Sequence, residues 1–266
     1  MKERLLNRLH EIEAENNVKI LLASESGSRS WGFASKDSDY DVRFIYVNKL
    51  PWYFMVVKGR DVIESMSENR LFDYAGWDIS KALLLFRSTN STMLEWLHSP
   101  YVYFSDDEFV SRLHSMEEQF FNAKKALHHY FGMSQSCYKN MSKDSDFKMK
   151  PFLYHLRGLL ACRWIEKYAA APPVPFSELV SATIEKEDVR SEINNLIALK
   201  AESNEYDSMP VVPQLTVYAK ELESYYLSNI DTIKFCDFCL PSDDKLNKLN
   251  MDMIMKYSHD TIRHYT

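Results

Sequence analysis

The chain has 266 residues, 45% hydrophobic and 14% aromatic, with only 6 glycines and 9 prolines: the composition of a globular, helix-rich protein of one or two domains. A formal charge of −6 argues against a broad nucleic-acid-binding surface, because non-specific affinity comes from Lys and Arg neutralising phosphates, although it leaves room for a local basic cleft. No run approaches the ~18 apolar residues of a membrane span, the first residues read as an amphipathic helix rather than a signal peptide, and four cysteines make no disulfide framework, so a soluble cytoplasmic protein is expected.

In chain order, Leu5, Leu6, Leu9 and Ile12 keep helical spacing and predict an opening helix over residues 2–16. A short buried strand follows at 18–23, and β-branched and aromatic residues mark a second at 41–47. Residues 61–65 and 71–77 read as two more strands. A helix over 78–87 follows, with Asp78 at its start and Ala82, Leu83 and Phe86 inward, then a helix over 92–98 and a short strand at 101–104. From about residue 107 the pattern is helical, with predicted helices at 109–129, 131–141, 151–168, 189–201, 215–226 and 245–257 and a proline-rich break at 172–175. The expected organisation is α+β: an α/β module over 1–107 followed by a helical domain over 108–266.

The chemistry concentrates between Glu25 and Arg43. Asp39 and Asp41 are two residues apart at the head of a strand, so their carboxylates share a face. Such a pair is costly unless a cation neutralises it, and an oxygen-only ligand set suits a hard ion such as Mg²⁺. Upstream, the turn at Gly27 and Ser28 can present backbone N–H groups to phosphate oxygens. A phosphate cradle next to metal carboxylates points to phosphoryl or nucleotidyl transfer.

The segments Ser26-Gly27-Ser28 and Ser38-Asp39-Tyr40-Asp41-Val42-Arg43 resemble those of the polymerase-β-like nucleotidyltransferases. The blocks Gly76-Trp77-Asp78-Ile79-Ser80-Lys81, Leu94-Glu95-Trp96-Leu97-His98-Ser99-Pro100 and Leu156-Arg157-Gly158-Leu159 look like the RlaP-type subgroup, named for a predicted bacterial RNA-repair pathway. Asn90-Ser91-Thr92 departs from the subgroup's usual Asn-Pro-Thr, which affects loop stiffness rather than chemistry. The resemblance implies a mixed sheet flanked by helices and two Mg²⁺ ions held by three carboxylates. Asp39 and Asp41 match the first two. Asp73 and Asp78 compete for the third, with Asp73 preferred because it lies within a strand-like run while Asp78 suits a helix start, and Asp61 is more remote.

The implied substrate is an NTP, ATP foremost, bound by Gly27, Ser28 and Arg29, with Lys150 and Arg157 of the helical half among the basic candidates for its phosphates. Arg29 and Arg43 are equally compatible with structural ion pairs, and Lys81, Lys139, Lys148 and Arg163 complete the basic candidates. The implied acceptor is an RNA or tRNA end, with a protein or small-molecule hydroxyl also open. A nucleotide-binding regulator without turnover, or an interaction module on the same fold, is the competing class. Cys236 and Cys239 read as buried beside Phe235 and Phe238 rather than as zinc ligands with His259 and His264, and His128, His129 and His155 read as ordinary core or surface residues.

Overall fold

A computed structural model describes residues 2–67, 70–141, 149–204 and 212–258. The described residues form, in chain order, α1 (Lys2–Asn16), β1 (Val18–Glu25), α2 (Gly27–Trp31), β2 (Tyr40–Asn48), α3 (Leu50–Phe54), β3 (Val62–Met66), β4 (Phe72–Asp78), α4 (Ile79–Arg87), α5 (Ser91–Leu97) and β5 (Val102–Ser105). Seven helices follow: α6 (Asp107–Phe120), α7 (Ala123–Met141), α8 (Met149–Tyr168), α9 (Phe176–Thr183), α10 (Glu187–Glu202), α11 (Pro213–Asn229) and α12 (Asp244–Ser258). They group into two compact units. One takes the residues up to Ser26, Asp39–Phe120 and the segment from Cys239 onward; the other takes Gly27–Ser38 and Phe121–Phe238.

The first unit is built on a five-stranded sheet of order β3-β4-β2-β1-β5. β2 and β4 run parallel and the other pairs antiparallel, which makes the sheet mixed. Leu5, Leu9 and Ile12 line one stripe of α1 and pack with Val18, Ile20, Val42, Phe44, Tyr46, Phe72 and Tyr74 of the sheet. Gly76 of β4 lies opposite Phe44, and a Cβ there would come within 2.1 Å of the phenyl ring, so the seat of that ring against β4 requires glycine. α12 and the residue before it are tied to this unit by ion pairs: Arg112 to Asp252 at 2.7 Å, Arg87 to Asp243 at 2.6 Å and Lys256 to Asp106 at 2.9 Å.

The second unit is helical. Its core joins Trp31 and Phe33 to Leu127, Tyr130, Phe152, Leu156, Leu160, Phe176, Ile193 and Tyr226. The expected helices at 109–129 and 131–141 are instead α6 and α7, broken at 121–122. The Asn122 side chain caps α7 by accepting the Lys125 N–H at 2.9 Å, which starts a new helix inside a stretch whose helical spacing reads as continuous. Two further helices were not anticipated: α3 and α9. Prolines open both, one in the first turn of α3 and Pro175 at the N-cap of α9, where a fixed φ favours helix entry. Lys148, His259 and His264 lie outside the described residues.

Candidate active site

The parallel register of β2 and β4 sets Asp41 directly beside Asp73. Arg43, two residues along β2, lies on the same face and reaches back to both. Its Nη2 donates to Asp41 Oδ1 at 2.6 Å and to Asp73 Oδ2 at 2.8 Å, while Nη1 donates to the Asp73 carbonyl at 3.3 Å. One guanidinium nitrogen therefore sits between two carboxylates that would otherwise repel. The side chains are partly exposed, 16% for Arg43, 25% for Asp41 and 29% for Asp73, so the cluster is open to solvent. Asp39 sits one residue ahead of β2, half-buried, two positions before Asp41.

Glu25, at the end of β1, was not singled out in the sequence. It is 2% exposed and its Oε1 accepts the Asp41 backbone N–H at 2.9 Å, while Tyr103 donates its hydroxyl to Oε2. The Glu25 N–H bonds to the Tyr101 carbonyl at 2.9 Å and its own carbonyl accepts from the Ser99 hydroxyl at 2.6 Å. This buried carboxylate is thus a bracket that holds the backbone of Asp41 in place. Its signal in the sequence was weak: an acid at the end of an apolar strand.

The rivals for the third carboxylate are otherwise engaged. Asp78 is 1% exposed and accepts from Ser80 N at 2.9 Å as the N-cap of α4. Its other oxygen takes the Asn48 amide at 2.9 Å and the Tyr53 hydroxyl at 2.7 Å. Burial, and then the neighbouring Asp78, push the Tyr53 phenol well above its ordinary range, so it stays a donor. Asp61 is paired with Lys81 at 3.0 Å on the surface.

Gly27 adopts φ 63, a left-handed conformation that favours glycine, as the chain turns from β1 into α2. Ser38 closes the loop that begins there: its hydroxyl meets Ser28 Oγ at 3.4 Å, accepts Ser35 N–H at 2.9 Å and lies 2.9 Å from Ser35 Oγ. Arg29 donates from Nη2 to the Ser38 carbonyl at 2.6 Å, and Ser38 immediately precedes Asp39. Arg29 thus ties the loop at the residue before the first acid.

Positions 150, 154 and 157 share one face of α8. Tyr154 packs edge-on against Trp31 of α2 at 4.8 Å, the buried Arg157 guanidinium lies 4.3 Å over the same indole, and Lys150 sits 5.7 Å from the Tyr154 ring. The Gly27–Ser38 loop, Lys150 and Arg157 therefore belong to one packed assembly. Of the other basic candidates, Arg163 donates to the Tyr218 hydroxyl at 3.1 Å and Lys139 is exposed.

Cys236 and Cys239 are exposed, contrary to the buried reading; Phe238 is itself 39% exposed, so these rings build no apolar site for the thiols. His155 is buried, 2.8 Å from Ser134 Oγ, and His128 and His129 are exposed. Among the described residues no helix is long and apolar enough to cross a membrane.

A mixed five-stranded sheet with flanking helices, followed by a helical region, is the architecture of a polymerase-β-like nucleotidyltransferase fold. The family model for the RNA repair pathway DNA polymerase beta family, RlaP, matches residues 1–249, and the chain belongs to that family. It is 40% identical over 207 residues to the uncharacterized protein YcgL of Bacillus subtilis (strain 168), which covers 78% of this chain and 79% of that protein. A nucleotidyltransferase-like protein from Exiguobacterium sibiricum 255-15 is similar to 99% of this chain and 91% of its own, at 11% identity and a TM-score of 0.34.

Proposed function

We propose that this protein is a divalent-metal-dependent nucleotidyltransferase, moving a nucleoside monophosphate from an NTP to a hydroxyl acceptor. The observation that carries the reading is the side-by-side placement of Asp41 and Asp73 on one cation. Two carboxylate oxygens already converge on a single positive atom, and the donors are all oxygen, the chemistry a hard divalent ion prefers. The residues present therefore fit Mg²⁺, two ions in the family's pattern, with Asp39, Asp41 and Asp73 as the ligands. Bound there, the metal supplies a lowered pKa for the acceptor hydroxyl and charge neutralisation for the triphosphate.

Gly27, Ser28 and Arg29 take the triphosphate, with Lys150 and Arg157 on the helical side as further phosphate contacts. Asp73 assists removal of the acceptor proton. The acceptor oxygen forms a bond to the α-phosphorus, the bond from that phosphorus to the bridging oxygen breaks, and pyrophosphate leaves with the electron pair. Glu25 keeps Asp41 oriented through its backbone N–H. For the acceptor, an RNA or tRNA 3′ end agrees with the family's description, and the charge of −6 favours a short footprint over an extended one.

Isothermal titration with each NTP, with and without Mg²⁺, tests the reading on the unmodified chain and on Asp39→Asn/Asp41→Asn. Mg²⁺-dependent binding of one nucleotide, lost in the double variant, is expected and names the donor for an acceptor screen. Absence of binding by every NTP, alone and with RNA present, would overturn it.

A further inference from the structure

The first unit holds a second group of metal-binding side chains whose chemistry differs from that of the carboxylates. His114 and Glu117 are spaced i, i+3 on α6 and so face the same way. His98 is the C-cap of α5, its N–H bonded to the Leu94 carbonyl at 2.9 Å. The three donor atoms lie within 4.8 Å of one another. Glu117 Oε2 is the meeting point, 2.7 Å from His98 Nε2 and 3.6 Å from His114 Nδ1. We propose that His98, His114 and Glu117 form a site for one borderline divalent transition ion, of which Zn²⁺ is the probe.

Two features favour an ion over a plain hydrogen-bonded pair. A His–carboxylate pair needs one imidazole, yet here two converge on one oxygen from different helices. Two imidazole nitrogens with one carboxylate oxygen also select zinc-like ions over Mg²⁺, and three protein ligands leave coordination positions for water.

The geometry is attainable. Donors around a tetrahedral ion at about 2.0–2.2 Å stand about 3–3.5 Å apart. The histidine side chains are 35% and 42% exposed, so modest rotation closes the set, while Glu117 is 16% exposed and held in place. The segment carrying His98 is pinned on either side of it: the Trp96 carbonyl accepts from Ser24 Oγ at 2.9 Å and the Ser99 hydroxyl donates to Glu25 O at 2.6 Å. An ion here clamps α6 to the segment that anchors Glu25. The inference is independent of the proposed transferase reading.

The test uses the full chain carrying Cys236→Ser and Cys239→Ser, both at exposed positions, in excess Mg²⁺ so that the carboxylate site is occupied. Zn²⁺ and then Co²⁺ are titrated by calorimetry and visible absorption. One equivalent should bind, with Co²⁺ giving intense d–d bands of low coordination number. His114→Ala and Glu117→Gln should each weaken that equivalent by at least about 10-fold while the metal-free melting temperature stays within a few degrees. Asp39→Asn/Asp41→Asn should leave it unchanged. Absence of a bound equivalent, or one that survives both His114→Ala and Glu117→Gln, would overturn the proposal.

Discussion

The two ends of β4 carry acids with opposite fates. At one end Asp73 is partly exposed and shares a single cationic nitrogen with Asp41. At the other, Asp78 is fully buried and accepts three hydrogen bonds, each from a neutral group. An acid satisfied by fixed neutral donors is part of the frame, because exchanging those partners breaks the helix cap and the neighbouring Tyr53 and Asn48. An acid held by one side-chain cation is electrostatically provisional: another cation can take the same place. The difference separates a structural carboxylate from a candidate metal ligand without reference to any relative.

The largest expected effect follows directly. On the proposed reading, Asp41→Asn and Asp73→Asn should each lower nucleotidyl transfer by about 10³-fold or more, as expected on losing a charge that acts on the transition state, with little change in folding. Asp78→Ala should do the reverse. It strips the α4 cap and strands two donors, so a loss of about 3 kcal/mol of stability is expected in denaturant titrations, with Mg²⁺-dependent nucleotide binding retained in the folded fraction. If Asp78→Ala abolished binding in folded protein while Asp73→Asn spared it, the assignment of the two ends would be inverted.

Arg43 sharpens the comparison. Without it Asp41 and Asp73 lose the guanidinium that lies between them, at a cost of about 1 kcal/mol for partly exposed groups. Arg43→Ala should therefore melt below the unmodified chain in a chelator, and Mg²⁺ should raise its melting temperature more than it raises that of the unmodified chain. Equal Mg²⁺-induced shifts in differential scanning fluorimetry would show that the guanidinium is no placeholder.

Much of this site was legible in the sequence, for local reasons. The spacing of Asp39 and Asp41 and the turn residue Gly27 express geometry within a few residues, and Asp73 stood out by lying in a strand-like run. The role of Arg43 was open because it depends on the parallel register of β2 with β4, which α3 and β3 separate in the chain. Glu25 was missed for the same reason: it acts on Asp41, a segment that its own neighbours in sequence do not identify. The break at 121–122 was hidden by apolar residues on both sides, although Asn122 is an ordinary capping residue. The convergence of His98 with His114 and Glu117 joins two helices across β5, which no periodicity reveals.

The smallest expected effect extends the contrast to a group that can gain a charge rather than lose one. His155 is 1% exposed, lies 2.8 Å from Ser134 Oγ and 3.1 Å from the Ser134 carbonyl, and its pKa is lowered by burial. Burial makes the folded protein resist protonating it, against the opposing pull of the Ser134 carbonyl and of Glu223. The unfolded chain does not, and takes up a proton once the pH falls below the ordinary value of 6.5. Stability is then unaffected by this group above that pH and declines below it, by at most about 1.4 kcal/mol per pH unit, until the folded-state pKa is reached. His155→Gln should flatten that part of the decline in denaturant titrations from about pH 8 to about pH 5. An unchanged slope would mean that the buried imidazole accepts its proton as readily as a free one, and that burial does not hold it neutral in this fold.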